Sequence, residues 1–292
     1  MKKAILLLSC AAFIAFASPL YASQGRKPEK TGILLVAFGS SEASAQAAFD
    51  NIEKRVREVF PETPLYWAYT SHIIRHKLVK QGKVLLSPAE ALARMMDEGF
   101  TRVAVQSLHT IPGEEFGDLQ ETVRAFQGMP DGFMQLALGE PLLATQQDLG
   151  RAVDAILATI PPARKPSEAV LLMGHGTPHP ANAYYSALNW QMQQKDPNLI
   201  IGTVEGYPEI GQVADYLKKR KAARVWLMPF MSVAGDHAKN DMAGPEEDSW
   251  VSVLTKQGFD CRTVLKGTAE YDVFVDIWVD HLRSALGRLD QM

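Results

Sequence analysis

Cysteine is nearly absent from this chain, with two in 292 residues, Cys10 and Cys261. Cys10 falls in a leading apolar segment, so a mature chain keeps one thiol and an internal disulfide is excluded. Stability must then come from a buried core, for which a 47% hydrophobic content is ample at this length. An excess of positive charge is also lacking, since 30 Lys and Arg stand against 33 Asp and Glu, a formal net charge of −3. Phosphate backbones require a basic face, so nucleic acid is excluded as the partner. After residue 22 no apolar run reaches the roughly 20 residues that a bilayer span needs, so no membrane association is expected of the mature chain. A Gly-x-Ser-x-Gly motif is missing too, which argues against a serine hydrolase.

Residues 1–22 read as a cleavable secretory signal peptide. Lys2 and Lys3 form a basic start, Ala4 to Ala17 an apolar stretch, and Pro19-Leu20-Tyr21-Ala22 ends on a small residue. The mature chain is expected to begin near Ser23, to be more acidic by two lysines, and to reside in a bacterial periplasm.

The rest of the chain alternates strand-like and helix-like segments. Gly32 to Phe38 is a continuous apolar run closed by Gly39-Ser40-Ser41, and Ala48, Phe49, Ile52, Val56 and Val59 then recur at helical spacing. Ser87-Pro88-Ala89-Glu90 opens a helix with a capping serine and an early proline, Gly99 closes it, and Arg102 to Leu108 is again a strand. Such alternation predicts βαβ units and parallel sheets, with ligands beyond the carboxyl ends of the strands. The segment from Ile33 to Ser40 aligns with Val170 to Thr177, and Arg102 to Glu115 with Arg224 to His237, in the same order. The expected architecture is α/β with two similar lobes, each a parallel sheet flanked by helices, and a cleft between them. Their expected extents are 23–145 for the N-terminal α/β lobe and 146–292 for a C-terminal α/β lobe carrying a metal site.

Three strand ends in the second half carry ligand-type residues. Met173-Gly174-His175-Gly176-Thr177 follows the run Ala169 to Met173, Gly235-Asp236-His237 follows Val225 to Val233, and the run Leu199 to Val204 finishes on Glu205. Two imidazoles and one carboxylate with open positions suit Co(II), Fe(II), Ni(II) or Zn(II) and exclude an all-oxygen calcium cage. The glycines flanking His175 allow backbone and ligand to approach closely. In the first half Phe38 aligns with His175 and Glu115 with His237, which assigns the metal chemistry to the second lobe.

Gly-Ile-Leu-Leu-Val-Ala-Phe-Gly-Ser-Ser at 32–41, Tyr69-Thr70-Ser71, Leu108-His109-Thr110-Ile111-Pro112-Gly113-Glu114-Glu115, Gly174-His175-Gly176 and Ala234-Gly235-Asp236-His237-Ala238-Lys239-Asn240-Asp241-Met242 together resemble the anaerobic cobaltochelatases of cobalamin biosynthesis. These are class II chelatases acting on sirohydrochlorin, and the resemblance covers essentially the whole mature chain. It implies a chelatase-like bilobal fold, a tetrapyrrole substrate, and a lyase activity inserting Co2+, with Fe2+ as the alternative ion. It places the metal on His175, Glu205 and His237. The substrate carboxylates then call for donors, and the turns at Ser40 and Ser41 and at Gly176 and Thr177 are the candidate anion nests; Ser40 or Ser41 is equally a candidate helix cap.

The remaining histidines divide by position. His109 ends a first-lobe strand and is expected to face the cleft, binding a substrate carboxylate or assisting deprotonation, with a structural hydrogen-bonding role as the alternative. His72 and His76 are four apart on one helical face, where an extra metal or a haem is the functional reading and surface exposure the simpler one. His179 is a candidate supporting residue behind the metal turn, and His281 is expected to pack in a terminal amphipathic helix with Ile277, Leu282 and Leu286. Glu114 and Glu115 are expected on the cleft rim, and the five tryptophans in the core or cleft wall. Two other functions fit parts of the pattern. A periplasmic metal or haem carrier without turnover would use the same ligands. A histidine phosphatase would use His175 as nucleophile, but Gly174 stands where such an enzyme needs an arginine. Oligomeric state, including a homo-oligomer, is left open by the sequence.

Overall fold

The computed structural model describes residues 28–291; the leader assigned to residues 1–22 lies outside them. The first half runs β1 (Thr31–Ala37), α1 (Gln46–Val59), β2 (Leu65–Tyr69), α2 (His72–Val79), α3 (Pro88–Asp97), β3 (Arg102–Ser107), α4 (Glu114–Gln127) and β4 (Gln135–Gly139). The second half runs α5 (Gln146–Thr159), β5 (Ala169–Gly174), α6 (Ala183–Lys195), β6 (Leu199–Thr203), α7 (Ile210–Lys219), β7 (Arg224–Pro229), α8 (Trp250–Lys256), β8 (Asp260–Thr263) and α9 (Asp272–Leu289). Each half builds a four-stranded parallel sheet, in the orders β2-β1-β3-β4 and β6-β5-β7-β8. The strands correspond one to one, so the internal similarity of the sequence is a repeated topology.

Continuous apolar strands follow from burial on both faces. Along β1, Ile33, Leu35 and Ala37 enter one core and Leu34 and Val36 another. Along β5, Val170 and Leu172 point one way and Ala169, Leu171 and Met173 the other. The inner set is common to both halves: residues of β1 and β5 belong to a single cluster with α1, α5, α6 and α9. The helix starts are set by local chemistry. Ser87 and Glu90 form the expected capping box, with Glu90 N donating to Ser87 Oγ at 3.2 Å and Ser87 N to Glu90 Oε2 at 2.7 Å. Neither Ser40 nor Ser41 caps α1, which is entered through a 3-10 turn at Ala43–Ala45 with Glu42 at its N-cap position.

The C-terminal helix departs from the expected 146–292 lobe. α9 packs against β3 and β4 of the first sheet and beside α1 and α5, because its stripe of Phe274, Ile277, Trp278, Leu282 and Ala285 covers the face that the first sheet leaves open. Arg55 to Asp276 at 2.7 Å and Arg151 to Asp280 at 2.6 Å fix it laterally. His281 does more than pack, since its Nε2 lies 3.0 Å from Asp148 Oδ1 and its Nδ1 3.1 Å from the Glu140 carbonyl. Burial opposes ionisation of Asp148, but hydrogen bonds from Thr145 and His281 outweigh it and hold that carboxyl below its ordinary value. Trp190 also departs from expectation, standing 65% exposed on α6.

A core shared by both sheets requires the halves to unfold together. Urea unfolding followed by far-UV circular dichroism and by tryptophan fluorescence is expected to give coincident transitions. Trp278→Ala, which empties a fully buried site between α9 and the first sheet, should lower stability by about 3–5 kcal/mol without splitting the transition; two separated transitions in either protein would refute a common core.

Candidate metal centre

The site forms where the turns after β5, β6 and β7 meet. Gly176 adopts φ +82°, and a Cβ there would lie 2.7 Å from Thr203 Cβ and 2.8 Å from the Glu205 backbone, so only glycine lets the β5 turn rest on the end of β6. The contact is secured by the His175 carbonyl, which accepts from Val204 N at 3.0 Å and Glu205 N at 2.8 Å. Below it lies the buried ring of Tyr185. Gly174 is needed to admit that ring, because a Cβ would stand 2.7 Å from it.

Among the described residues, His175, Glu205 and His237 are the one group of three or more His, Cys, Asp or Glu side chains placed to hold an ion, their ligand atoms all within 4.8 Å of one another. The imidazole centroids of His175 and His237 are 4.7 Å apart and nearly perpendicular. His175 Nδ1 lies 3.0 Å from the Gly176 carbonyl, and His237 Nδ1 hydrogen-bonds the Asp241 carboxylate one turn on. Both partners only accept, so the tautomer with its proton on Nδ1 satisfies each contact and leaves Nε2 a lone pair; His175 Nδ1 also stands 4.0 Å from Glu205 Oε2. The side chains remain 39%, 59% and 32% exposed for His175, Glu205 and His237. Three ligands on an open wall describe a site from which an ion can leave.

The first half supplies the opposite wall. Phe38, which corresponds to His175 in the repeat, is exposed and its ring centroid lies 6.3 Å from that of His175. Ser40 Oγ accepts from Glu42 N at 3.1 Å and keeps its own proton to donate, and Ser41 beside it is partly exposed. The turn at Gly176 and Thr177 is a poorer nest than its sequence indicates. Its Thr177 amide is already engaged, donating to Asn182 Oδ1 at 3.2 Å. Glu114 and Glu115 sit in the first turn of α4, where the helix dipole favours them.

His109 lies outside the ligand cluster. It is buried between Ser107 Oγ at 2.8 Å and Thr70 Oγ1 at 3.3 Å, and burial lowers its pKa from 6.5 to about 4. Near neutrality it is therefore an uncharged hydrogen-bonding group and not a carboxylate-binding cation. His179 is exposed and its Nδ1 accepts from Ala181 N, capping the turn Pro180–Asn182 instead of supporting the metal turn. His72 and His76 are exposed neighbours on α2 with ring centroids 6.0 Å apart, and no third ligand joins them among the described residues.

A family model described as cobalt chelatase (CbiK) matches residues 31–287. The chain belongs to this cobalt chelatase family. It is 47% identical over 261 residues to the sirohydrochlorin cobaltochelatase CbiKC of Nitratidesulfovibrio vulgaris, covering 89% of this chain and 92% of the relative. It is 35% identical over 259 residues to the sirohydrochlorin cobaltochelatase of Salmonella typhimurium, covering 88% of this chain and 97% of the relative. Among solved structures, SirB from Bacillus subtilis with Fe3+ superposes with a TM-score of 0.60 at 15% identity, over 90% of this chain and 98% of that one. That likeness establishes a chelatase-type fold of two parallel sheets.

Two outcomes test this geometry. Asp241→Ala frees His237 to rotate and should weaken Co(II) binding about 10- to 100-fold, with Asp241→Asn losing less because an amide oxygen can still accept; calorimetric titration that finds no change would remove Asp241 from the site. His109 resists a proton that the unfolded chain accepts, so its contribution to stability is complete above about 6.5 and is lost as pH falls toward 4. The loss is at most about 1.4 kcal/mol per pH unit. Urea midpoints at pH 5 and 7.5 should differ more in the wild type than in His109→Gln.

Proposed function

We propose that the protein inserts Co2+ into sirohydrochlorin, releasing two protons, and that it does so in the periplasm after loss of residues 1–22. The observation that carries the activity is the partly exposed cluster of His175, Glu205 and His237 beside the exposed ring of Phe38, whose centroid lies 6.3 Å from that of His175. Membership of the cobalt chelatase family and the names of the two curated relatives agree with it.

The chemistry follows from the site. Co2+, the metal substrate, is taken from water by two neutral imidazole nitrogens and one carboxylate, which leave coordination positions free for the ring nitrogens. Phe38 offers a planar apolar surface on which a macrocycle can lie, so the metal and the ring meet face to face and their encounter becomes effectively unimolecular. As the ring nitrogens replace the protein ligands they give up two protons, and the imidazoles and carboxylate vacated by the ion accept them. A closed four-ligand site would trap the ion and stop the cycle. The donors left at Ser40 and Ser41 serve substrate carboxylates on the first-lobe side. The basic and apolar leader from Lys2 to Ala17 supports export.

The test is anaerobic absorbance spectroscopy of the mature protein with sirohydrochlorin and Co(II), with Fe(II) as competitor. Multiple turnovers are expected, with His175→Ala and His237→Ala each lowering kcat/KM on the order of 100-fold or more. Stoichiometric binding of ring or metal without turnover would replace the enzyme by a carrier. Cell fractionation with N-terminal sequencing checks export, and a product retaining Met1 in the cytoplasm would refute it.

A further inference from the structure

The first-lobe turn at residues 38–42 packs against the second-lobe loop at residues 235–242, beside the candidate metal cluster. Ser40 Oγ comes so near Gly235 that a Cβ there would stand 3.2 Å away. Beside this contact Lys239 Nζ donates to Glu42 Oε2 at 2.6 Å. Lys239 lies two residues beyond His237, in the π-helical turn Ala238–Met242, and Glu42 lies two beyond Ser40. The side chains are 36% and 27% exposed, a half-solvated pair that adds little to stability. Cohesion of the halves does not require it, because the shared core and α9 already join them. Lys239 is the chief cause of a lowered Glu42 carboxyl pKa, and Lys77 on the exposed side of α2 adds a further attraction.

A carboxylate bound to a cation at the rim of a tetrapyrrole cleft has the same chemistry as the acidic groups on the edge of sirohydrochlorin. Resting on the function proposed above, we infer that Lys239 is a specificity-determining residue that exchanges Glu42 for a peripheral carboxylate of the substrate. Glu42 is the built-in competitor: it keeps Lys239 paired and the cleft mouth closed when no ring is bound. Exchange conserves one charge-assisted hydrogen bond on Lys239, so an acidic ring enters at little cost. A ring with an ester or alkyl group at that edge would leave the lysine unpaired or the mouth shut, and is rejected. The displaced Glu42 carboxylate turns toward Lys77, away from the incoming negative charge.

The exchange predicts opposite effects for its two partners. Metal-free sirohydrochlorin is titrated anaerobically by quenching of tryptophan fluorescence at low and high salt, and metallation is followed in parallel, for wild type, Glu42→Gln, Lys239→Met, Lys239→Arg and the double variant Glu42→Gln/Lys239→Met. Removing the competitor should tighten ring binding about three- to tenfold. Lys239→Met should raise Kd and KM about tenfold, with a smaller effect on kcat and a weaker salt dependence, and Lys239→Arg should restore most of the loss. In the double variant the gain from Glu42→Gln should vanish. Weaker binding in Glu42→Gln, or an unchanged KM and salt dependence in Lys239→Met, would overturn the exchange. A wild type that binds the ring without metallating it sinks the chelatase reading alone, because the pattern of Kd values still decides the role of Lys239.

Discussion

The backbone contact between the turns after β5 and β6 is the constraint on which the site depends. Gly176 has a positive φ and no room for a Cβ, and the His175 carbonyl receives two amides from the β6 turn. Together these place His175 and Glu205 side by side before any ion arrives. A side chain at residue 176 would push the two turns apart and separate the ligands, whatever their own chemistry. Precision at the metal is thus built from main-chain hydrogen bonds at the ends of a rigid sheet, which hold position better than mobile loops do.

The repeat explains why one wall carries ligands and the other does not. Both sheets have the same strand order, so the end of β1 presents Phe38 where the end of β5 presents His175, and the two face each other at 6.3 Å. A repeated frame thus carries two chemistries, a cluster of ligand-type side chains on one side and an apolar ring on the other. The central core common to both sheets and the return of α9 to the first sheet keep these walls in register. The metal loop after β7 adds His237 with its own orienting carboxylate, so each imidazole has its Nδ1 occupied and its Nε2 free.

Much of this was legible because strand ends in βα folds carry their chemistry in short glycine-bounded turns. His175 and His237 stood out for that reason, and Glu205 because an apolar run ended on a carboxylate; the parallel sheets and the cap at Ser87 followed from local pattern. What the sequence hid were relations between distant residues. Asp241 was visible only as part of a motif, since its pairing with His237 depends on a π-helical turn whose spacing no hydrophobic period announces. The return of α9, the tether of His281 to Asp148, and the pair Glu42 and Lys239 all join residues more than 100 positions apart. The turn at Gly176 and Thr177 looked like an anion nest because amide donors can be counted in a sequence, whereas the engagement of Thr177 N by Asn182 cannot.

Openness at the metal and closure at the rim are complementary requirements of a transfer site. An ion that must leave needs few ligands and solvent access, and the side chains of His175, Glu205 and His237, the candidate ligands, keep 32–59% of their surface exposed. Weak coordination alone cannot choose among the planar rings that might accept the ion, because the ligand atoms meet only the ring centre. Discrimination therefore has to reside at the periphery, where the substrate displays its charge. Where the two lobes meet, the fold places the Lys239 cation against the Glu42 carboxylate, two residues from the candidate ligand His237, so that in the proposed function recognition of the ring edge and delivery of the ion fall to the same turn.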